Sequence, residues 1–172
     1  APSPAPVAAP VPTSQPSSGG SSPPPGASVA NFTSGFEAGF DGWSTGTMDL
    51  PFLRLSGSTP TANTGPNAAA VGAYYVYAET SNNQNLDFDL ERSLPAGQEL
   101  CAVAFAYHMY GQTMGSAVLE TSADGTTWAP LWSQSGDQGD QWLQASVHAS
   151  GGQTMLRYRC VRARGLLGCL IV

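Results

Sequence analysis

The sequence predicts an all-β protein built as an antiparallel β-sandwich, and three observations predict it. No window sustains an apolar i, i+3, i+4, i+7 repeat, so long helices are not expected. Several short runs alternate polar with apolar residues, the period-2 signature of strands. Clusters of Gly, Asn, Pro and Ser punctuate those runs, as turns between antiparallel strands do. The order of elements follows from the same signals. Residues 1–30 carry no charge and hold nine of the 14 Pro, with seven Ser and six Ala. Such a segment cannot bury enough apolar surface to offset its ordering entropy, and its prolines favour extended polyproline II. A disordered Pro-rich linker is therefore expected over 1–30, followed by one β-sandwich domain over 31–172. No basic residue flanks the prolines, which argues for a linker over a docking motif.

Within the domain, the first clear strand is Ala70–Glu79, after the turn Thr64-Gly65-Pro66-Asn67. Cys101–Tyr110 is the strongest. It sets Cys101, Val103, Phe105, Tyr107 and Met109 on one face, and Ala102, Ala104, Ala106, His108 and Tyr110 on the other. Both faces are largely apolar, which predicts a central strand. Ser116–Thr121 and Thr126–Trp132 flank Ala123-Asp124-Gly125, a hairpin signal because Asp and Gly tolerate positive φ. Gln141–Val147 and Met155–Val161 complete the set, separated by Ser150-Gly151-Gly152. No fixed-period internal repeat is present.

Composition excludes several classes of function. Only 10% of residues are charged, and six cationic residues, all Arg, face twelve acids, for a net charge of −6. Nucleic-acid binding needs a basic footprint to displace phosphate counterions, and none exists. Arg157, Arg159, Arg162 and Arg164 alternate with uncharged residues, so they make no polybasic membrane patch. No apolar run is long enough to span a membrane. The chain opens without Met or a signal-like segment and is expected to be a piece of a longer protein.

No catalytic set emerges from the residue types. His108 falls in mid-strand and His148 near a strand end, neither with ligands at metal spacing, so both read as packed or hydrogen-bonded histidines. Gly-x-Ser-x-Gly, His-Glu-x-x-His and phosphate-cradling Gly loops are absent. Carboxylates pair at Asp87 and Asp89, at Asp87 and Glu91, and at Asp137 and Asp140. In a strand, Asp87, Asp89 and Glu91 share one face, expected to be a solvated outer face. Trp128, Trp132 and Trp142 read as core, with a sugar-stacking platform as the alternative. Cys101, Cys160 and Cys169 make an odd count without Cys-x-x-Cys, which disfavours a zinc or redox site. One cysteine is then free, paired between chains, or partnered outside this segment. Asn31-Phe32-Thr33 is a sequon and makes Asn31 a glycosylation candidate.

Several blocks, in order, resemble the MAM domain, the module named after meprin, neuropilin and a receptor tyrosine phosphatase. Cys101 followed by Phe105-Ala-Tyr107-His108-Met109-Tyr110-Gly111 resembles its signature. Gly35-Phe36-Glu37 with Trp43 is similar to its opening strand, and Met48-Asp49-Leu50-Pro51-Phe52 to its acidic-aromatic stretch, with Phe52 in place of the usual Trp. Thr64-Gly65-Pro66 with Gly72-Ala-Tyr74-Tyr75-Val-Tyr77-Ala-Glu79 resembles a third block, and Leu131-Trp132 through Gly136-Asp-Gln138-Gly139-Asp-Gln-Trp142 a fourth. The resemblance runs from about Thr33 to Val172. It implies a jelly-roll-like sandwich and a domain that stops before its last strand, with Gly168–Val172 as that strand's start. It also implies a disulfide role for Cys101, whose family partner lies beyond Val172, with Cys160 or Cys169 as other partners. The family's first disulfide is absent, because Ser34 and Asp41 stand in its positions. Some members bind a cation, which here implies Glu37 and Asp49 as ligands of a structural Ca²⁺.

The functional expectation is an extracellular, non-catalytic adhesion or interaction module of a larger protein, needing no cofactor. Its expected partner is another protein or a second copy, bound through a sandwich face, with a glycan as a further ligand class. The alternatives are a carbohydrate-binding jelly roll and an accessory domain of a secreted hydrolase.

Overall fold

The computed structural model describes residues 26–81, 86–112, 114–161 and 170–171. In chain order its strands are β1 (Ser28–Val29), β2 (Ser44–Thr45), β3 (Leu50–Pro51), β4 (Leu53–Ser56), β5 (Tyr74–Tyr77), β6 (Asp87–Ser93) and β7 (Gln98–Glu99). They continue with β8 (Ala102–His108), β9 (Ser116–Ser122), β10 (Ala129–Ser135), β11 (Leu143–His148), β12 (Met155–Val161) and β13 (Leu170–Ile171). Among the described residues there is no helix.

The alternation in the sequence dictates the layering. In β12, Leu156, Tyr158 and Cys160 are buried while Met155, Arg157, Arg159 and Val161 are not, which is a strand with one face on a core. It lies between β9 and β6 in a six-stranded sheet ordered β10-β9-β12-β6-β2, with β3 also on β6. The second sheet runs β11-β8-β13-β5-β4, and β8 is central in it, as its doubly apolar pattern predicts. Pairing is antiparallel apart from β1 with β7 and β3 with β6. Between the sheets pack Phe88, Leu90, Leu119, Leu156 and Tyr158 from one side, and Val76, Phe105 and Tyr107 from the other. The result is the jelly-roll-like sandwich the sequence predicts. Ser28 and Val29 pair with Gln98 and Glu99; residues 1–25, most of the expected linker, lie outside the described residues.

Three local differences have physical causes. The Asp124 turn is longer than a tight hairpin, and β10 starts at Ala129. The Asp124 carboxylate accepts the amides of Thr126 (2.8 Å) and Thr127 (2.7 Å), and Ser122 Oγ accepts that of Gly125 (2.9 Å), so the side chains close a wider loop. Gly125, not Asp124, takes the positive φ there. The strand at Ala70–Glu79 shortens to Tyr74–Tyr77 because Gly72 turns the chain at φ 73°. Cys101 is not paired with Cys160. Its thiol is free. It sits at the start of β8 beside Ala149, whereas Cys160 lies in the opposite sheet between Phe88 and Ala117 and is paired elsewhere. Cys169 lies outside the described residues.

The expectation of a solvated Asp87-Asp89-Glu91 face also needs correction. Asp89 is fully buried. The Ser44–Pro51 segment runs along β6, through β2 and β3, and covers it. Its Oδ2 accepts the Thr47 amide (3.1 Å) and the Thr47 hydroxyl, and its Oδ1 the Met48 amide (2.7 Å). A buried carboxylate is tolerable when fully hydrogen-bonded in this way. Its neighbours stay on the outer face in an ion-pair ladder. Arg157 sits between Glu120 (2.8 Å) and Glu91 (3.5 Å), and Arg159 between Asp87 (3.1 Å) and Glu120 (3.5 Å).

Asp89→Ala empties a fully buried position and removes the acceptor of two backbone amides and one hydroxyl at once, and is expected to lower the unfolding free energy by about 3 kcal/mol in urea titrations. Thr47→Val, which removes one hydroxyl donor, is expected to cost about 1 kcal/mol.

Candidate functional site

The site is built from the opening turn outward. Between Ser34 and Asp41 the chain folds back so tightly that Phe36, a bulky residue, adopts φ 58°. The Asp41 carboxylate holds it by accepting the amides of Gly35 (3.0 Å) and Phe36 (2.7 Å). Arg54 of β4 donates to the carbonyls of Phe36 and Glu37. Arg92 of β6 donates to the Asp41 carbonyl and to Ser34 Oγ (3.4 Å), which also accepts from Trp43 Nε1 (2.9 Å). The two positions where the resemblance implies a disulfide are thus joined by hydrogen bonds.

This turn aims Glu37 at the start of β5. Its Oε1 accepts the amides of Ala73 (2.8 Å) and Tyr74 (3.0 Å). Those two bonds hold its carboxyl below the usual range. Gly72 suits the position beside it, since its φ of 73° disfavours a side chain and a Cβ there would meet the same oxygen. Glu37 therefore pins the C-terminal end of the loop that joins β4 to β5.

That loop roofs the outer face of the five-stranded sheet. Beneath it lies a second, smaller core of Tyr75 and Tyr77 with Leu55, Ala69 and Trp142. Trp142 Nε1 donates to the Ala68 carbonyl (2.9 Å), and Tyr75 donates to the Gly57 carbonyl (2.9 Å). Burial pushes the Tyr75 phenol up to about 12, so it stays protonated. Where the loop meets the Asp140 turn it leaves a groove of about 390 Å³, lined by Thr59, Thr61, Asn63, Asn67, Tyr110 and Asp140 among others. The loop is braced by its own bonds, Thr59 Oγ1 to the Thr64 carbonyl (2.6 Å) and the Gly65 amide to the Tyr110 carbonyl (3.4 Å). Asp140 is half exposed in the groove wall and meets the buried His108 Nε2 at 3.3 Å. The groove offers hydroxyls, amides, a tyrosine ring and one carboxylate. That suits an uncharged polar ligand and repels an anion.

The residues singled out from sequence fall in different places. Glu37 and Asp49 are held apart on different backbone segments, Asp49 accepting the Asp87 amide (2.9 Å). Ca²⁺ takes about six to eight oxygens, and among the described residues no three His, Cys, Asp or Glu side chains converge. Asn31 is exposed, at the rim of a second cavity of about 360 Å³ beside Phe32, Trp43 and Tyr158. Asp137 is tied to the amides of Gly111 (3.2 Å) and Gly139 (3.0 Å), so it does not pair chemically with Asp140. None of the three tryptophans forms a free platform. Trp132 packs on Phe105 and Tyr107, Trp142 on Tyr75 and His108, and Trp128 lies under Arg157 at 4.1 Å. Sequence reasoning missed the Ser56–Asn67 groove loop; its concentration of Ser, Thr, Asn, Gly and Pro was the available signal.

His108 supplies the pH dependence of this face. Burial, the larger effect, lowers its pKa below the ordinary 6.5, against the opposing pull of Asp140. Folding therefore favours the neutral imidazole. The stability it contributes is complete above 6.5 and is lost as pH falls through the lowered folded value. Thermal melts between about pH 7.5 and about pH 5.5 are expected to fall on the acid side, and His108→Gln to flatten that slope.

Comparison with known proteins now places this architecture. The chain is 33% identical over 119 residues to MAM domain-containing glycosylphosphatidylinositol anchor protein 1 of Rattus norvegicus, covering 64% of this chain and 12% of that protein. It is 36% identical over 104 residues to the anchor protein 2 of Homo sapiens, covering 51% of this chain and 11% of that protein. Against Neuropilin-1a of Danio rerio it is 30% identical over 116 residues, covering 63% and 12%. The chain thus spans about an eighth of the length of these relatives. Among solved structures, the K2 cleaved adhesin domain of Lys-gingipain aligns at TM-score 0.61 and 17% identity, covering 83% of this chain and 95% of that one. TmCBM61, solved with β-1,4-galactotriose, aligns at TM-score 0.51 and 22% identity, covering 80% and 89%. These two likenesses concern the fold. The sequence pattern of the MAM domain, meprin/A5/mu, matches residues 34–161, and the chain belongs to that family.

Proposed function

We propose that the chain is a non-catalytic, extracellular interaction module of a larger protein, binding a protein partner or a second copy of itself. The observation that carries this reading is the family match across nearly the whole folded region, 34–161. The internal chemistry supports it. The paired acids, His108 and the tryptophans are each engaged by other protein groups rather than gathered around a reactive centre. Relatives named as glycosylphosphatidylinositol anchor proteins support the extracellular location. In this reading the module needs no cofactor.

A second reading, carbohydrate binding, is favoured by one feature, the neutral groove of about 390 Å³ with its hydroxyls, amides, Tyr110 and Asp140. Surface plasmon resonance against a panel of recombinant extracellular domains, with the chain itself included, and a parallel glycan array separate the two. The module reading expects saturable binding to a protein and a flat glycan array. Saturable glycan binding lost in both Asn63→Ala and Asp140→Ala, with folding intact, would replace it with the second reading. Silence on both surfaces would remove both.

A further inference from the structure

We propose that β11 is a docking edge for a second copy of this chain, two β11 strands pairing antiparallel to join their five-stranded sheets. The proposal rests on the interaction-module reading and names its surface and partner.

β11 closes one end of its sheet and, among the described residues, pairs with β8 alone. The register runs unbroken from Leu143 opposite Tyr107 to His148 opposite Ala102. Just beyond, the Ala149 amide donates to the Cys101 carbonyl (2.9 Å). Those residues are also directly opposite in this register, so theirs is a hydrogen-bonded pair. In an antiparallel ladder such pairs alternate with non-bonded ones. Leu143, Ala145 and Val147 therefore spend their backbone groups on β8. The amides and carbonyls of Gln144, Ser146 and His148 point outward from the sheet edge.

The other sheet ends are guarded. β10 carries Pro130 and a register shift between Pro130 and Trp132. β4 is short and its Arg54 is committed to the Phe36 turn, and β2 has two residues. β11 has no proline, no bulge, no Asp, Glu, Lys or Arg, and the chain has no lysine to place on an edge. Natural proteins block edges with those devices, and an edge lacking them is a template for another strand. Leu143, Ala145 and Val147 are only partly buried on the main core, so pairing covers apolar area as well.

The sequence of β11 makes a second copy the fitting occupant. Centred on Ser146, antiparallel pairing sets Ser146 opposite its own counterpart and Gln144 opposite His148 of the other copy. All three outward residues then exchange bonds, and no like charges face each other.

Sedimentation of the full chain over a concentration series is expected to show a monomer–dimer equilibrium. Ser146→Pro removes an outward amide while sparing the β8 ladder and is expected to leave only monomer with an unchanged circular dichroism spectrum. Ser146→Glu puts two carboxylates face to face and is expected to weaken the dimer by at least about tenfold. In a Cys101→Ala background, Ser146→Cys is expected to yield an oxidised covalent dimer, since opposed residues stand about 5.5 Å apart, and Gln144→Cys is not. A monomer at every concentration overturns the proposal, as does a dimer indifferent to both Ser146→Pro and Ser146→Glu. Either result leaves the module reading standing if the chain still binds an extracellular domain in the resonance panel. Failure of that reading shows there instead, as silence.

Discussion

The sandwich depends on the turn from Ser34 to Asp41, because that turn is bonded to both sheets. Arg92 reaches it from the six-stranded sheet and Arg54 from the five-stranded one. Phe36 sits at φ 58°, a conformation that costs roughly 1–3 kcal/mol for a non-glycine residue. It persists because its amide, carbonyl and ring are all occupied, by Asp41, Arg54 and the core respectively. A disulfide across these positions would act largely by restricting the unfolded chain. The hydrogen-bonded clasp acts only once both sheets are in place, so closing the turn and docking the sheets become one cooperative event.

From that turn the order propagates to the surface. Glu37 caps the start of β5, and Gly72 gives it room. With β5 fixed, the β4–β5 loop closes over Tyr75 and Trp142, and the groove by Asp140 takes its shape. The groove is thus a consequence of the opening Phe-Glu pair, although the two are far apart in sequence.

This coupling explains what could be read in advance. β12 was legible because alternation is a local property that it displays without interruption, and β8 because both of its faces are apolar. The family blocks were legible because they are short and ordered. Asp89 was misread because its burial depends on Ser44–Pro51, a segment whose docking on β6 leaves no periodic trace. The Asp124 turn was misjudged in length because side-chain acceptors, not backbone φ alone, decide where such a loop closes. The groove was invisible because a Ser, Thr and Asn run reads only as loop until the floor beneath it is known.

The distribution of charge then limits how this surface can recognise anything. All four described arginines have internal duties. Arg54 and Arg92 hold backbone carbonyls and lie over Tyr74 and Phe32, and Arg157 and Arg159 neutralise the acids of the outer ladder. A guanidinium suits such fixed, multidentate roles better than an ammonium does, which accords with a chain that has arginine and no lysine. What remains outside is mostly hydroxyl, amide and backbone, with carboxylates outnumbering guanidinium groups. Electrostatic steering toward an anionic partner is therefore unfavourable. Recognition has to come from directional hydrogen bonding, and the described surface concentrates it in two places: the polar groove and the uncharged β11 edge. The first presents side chains and is selective by shape. The second presents backbone and is selective by register, which a strand of the same sequence satisfies without any further complementarity.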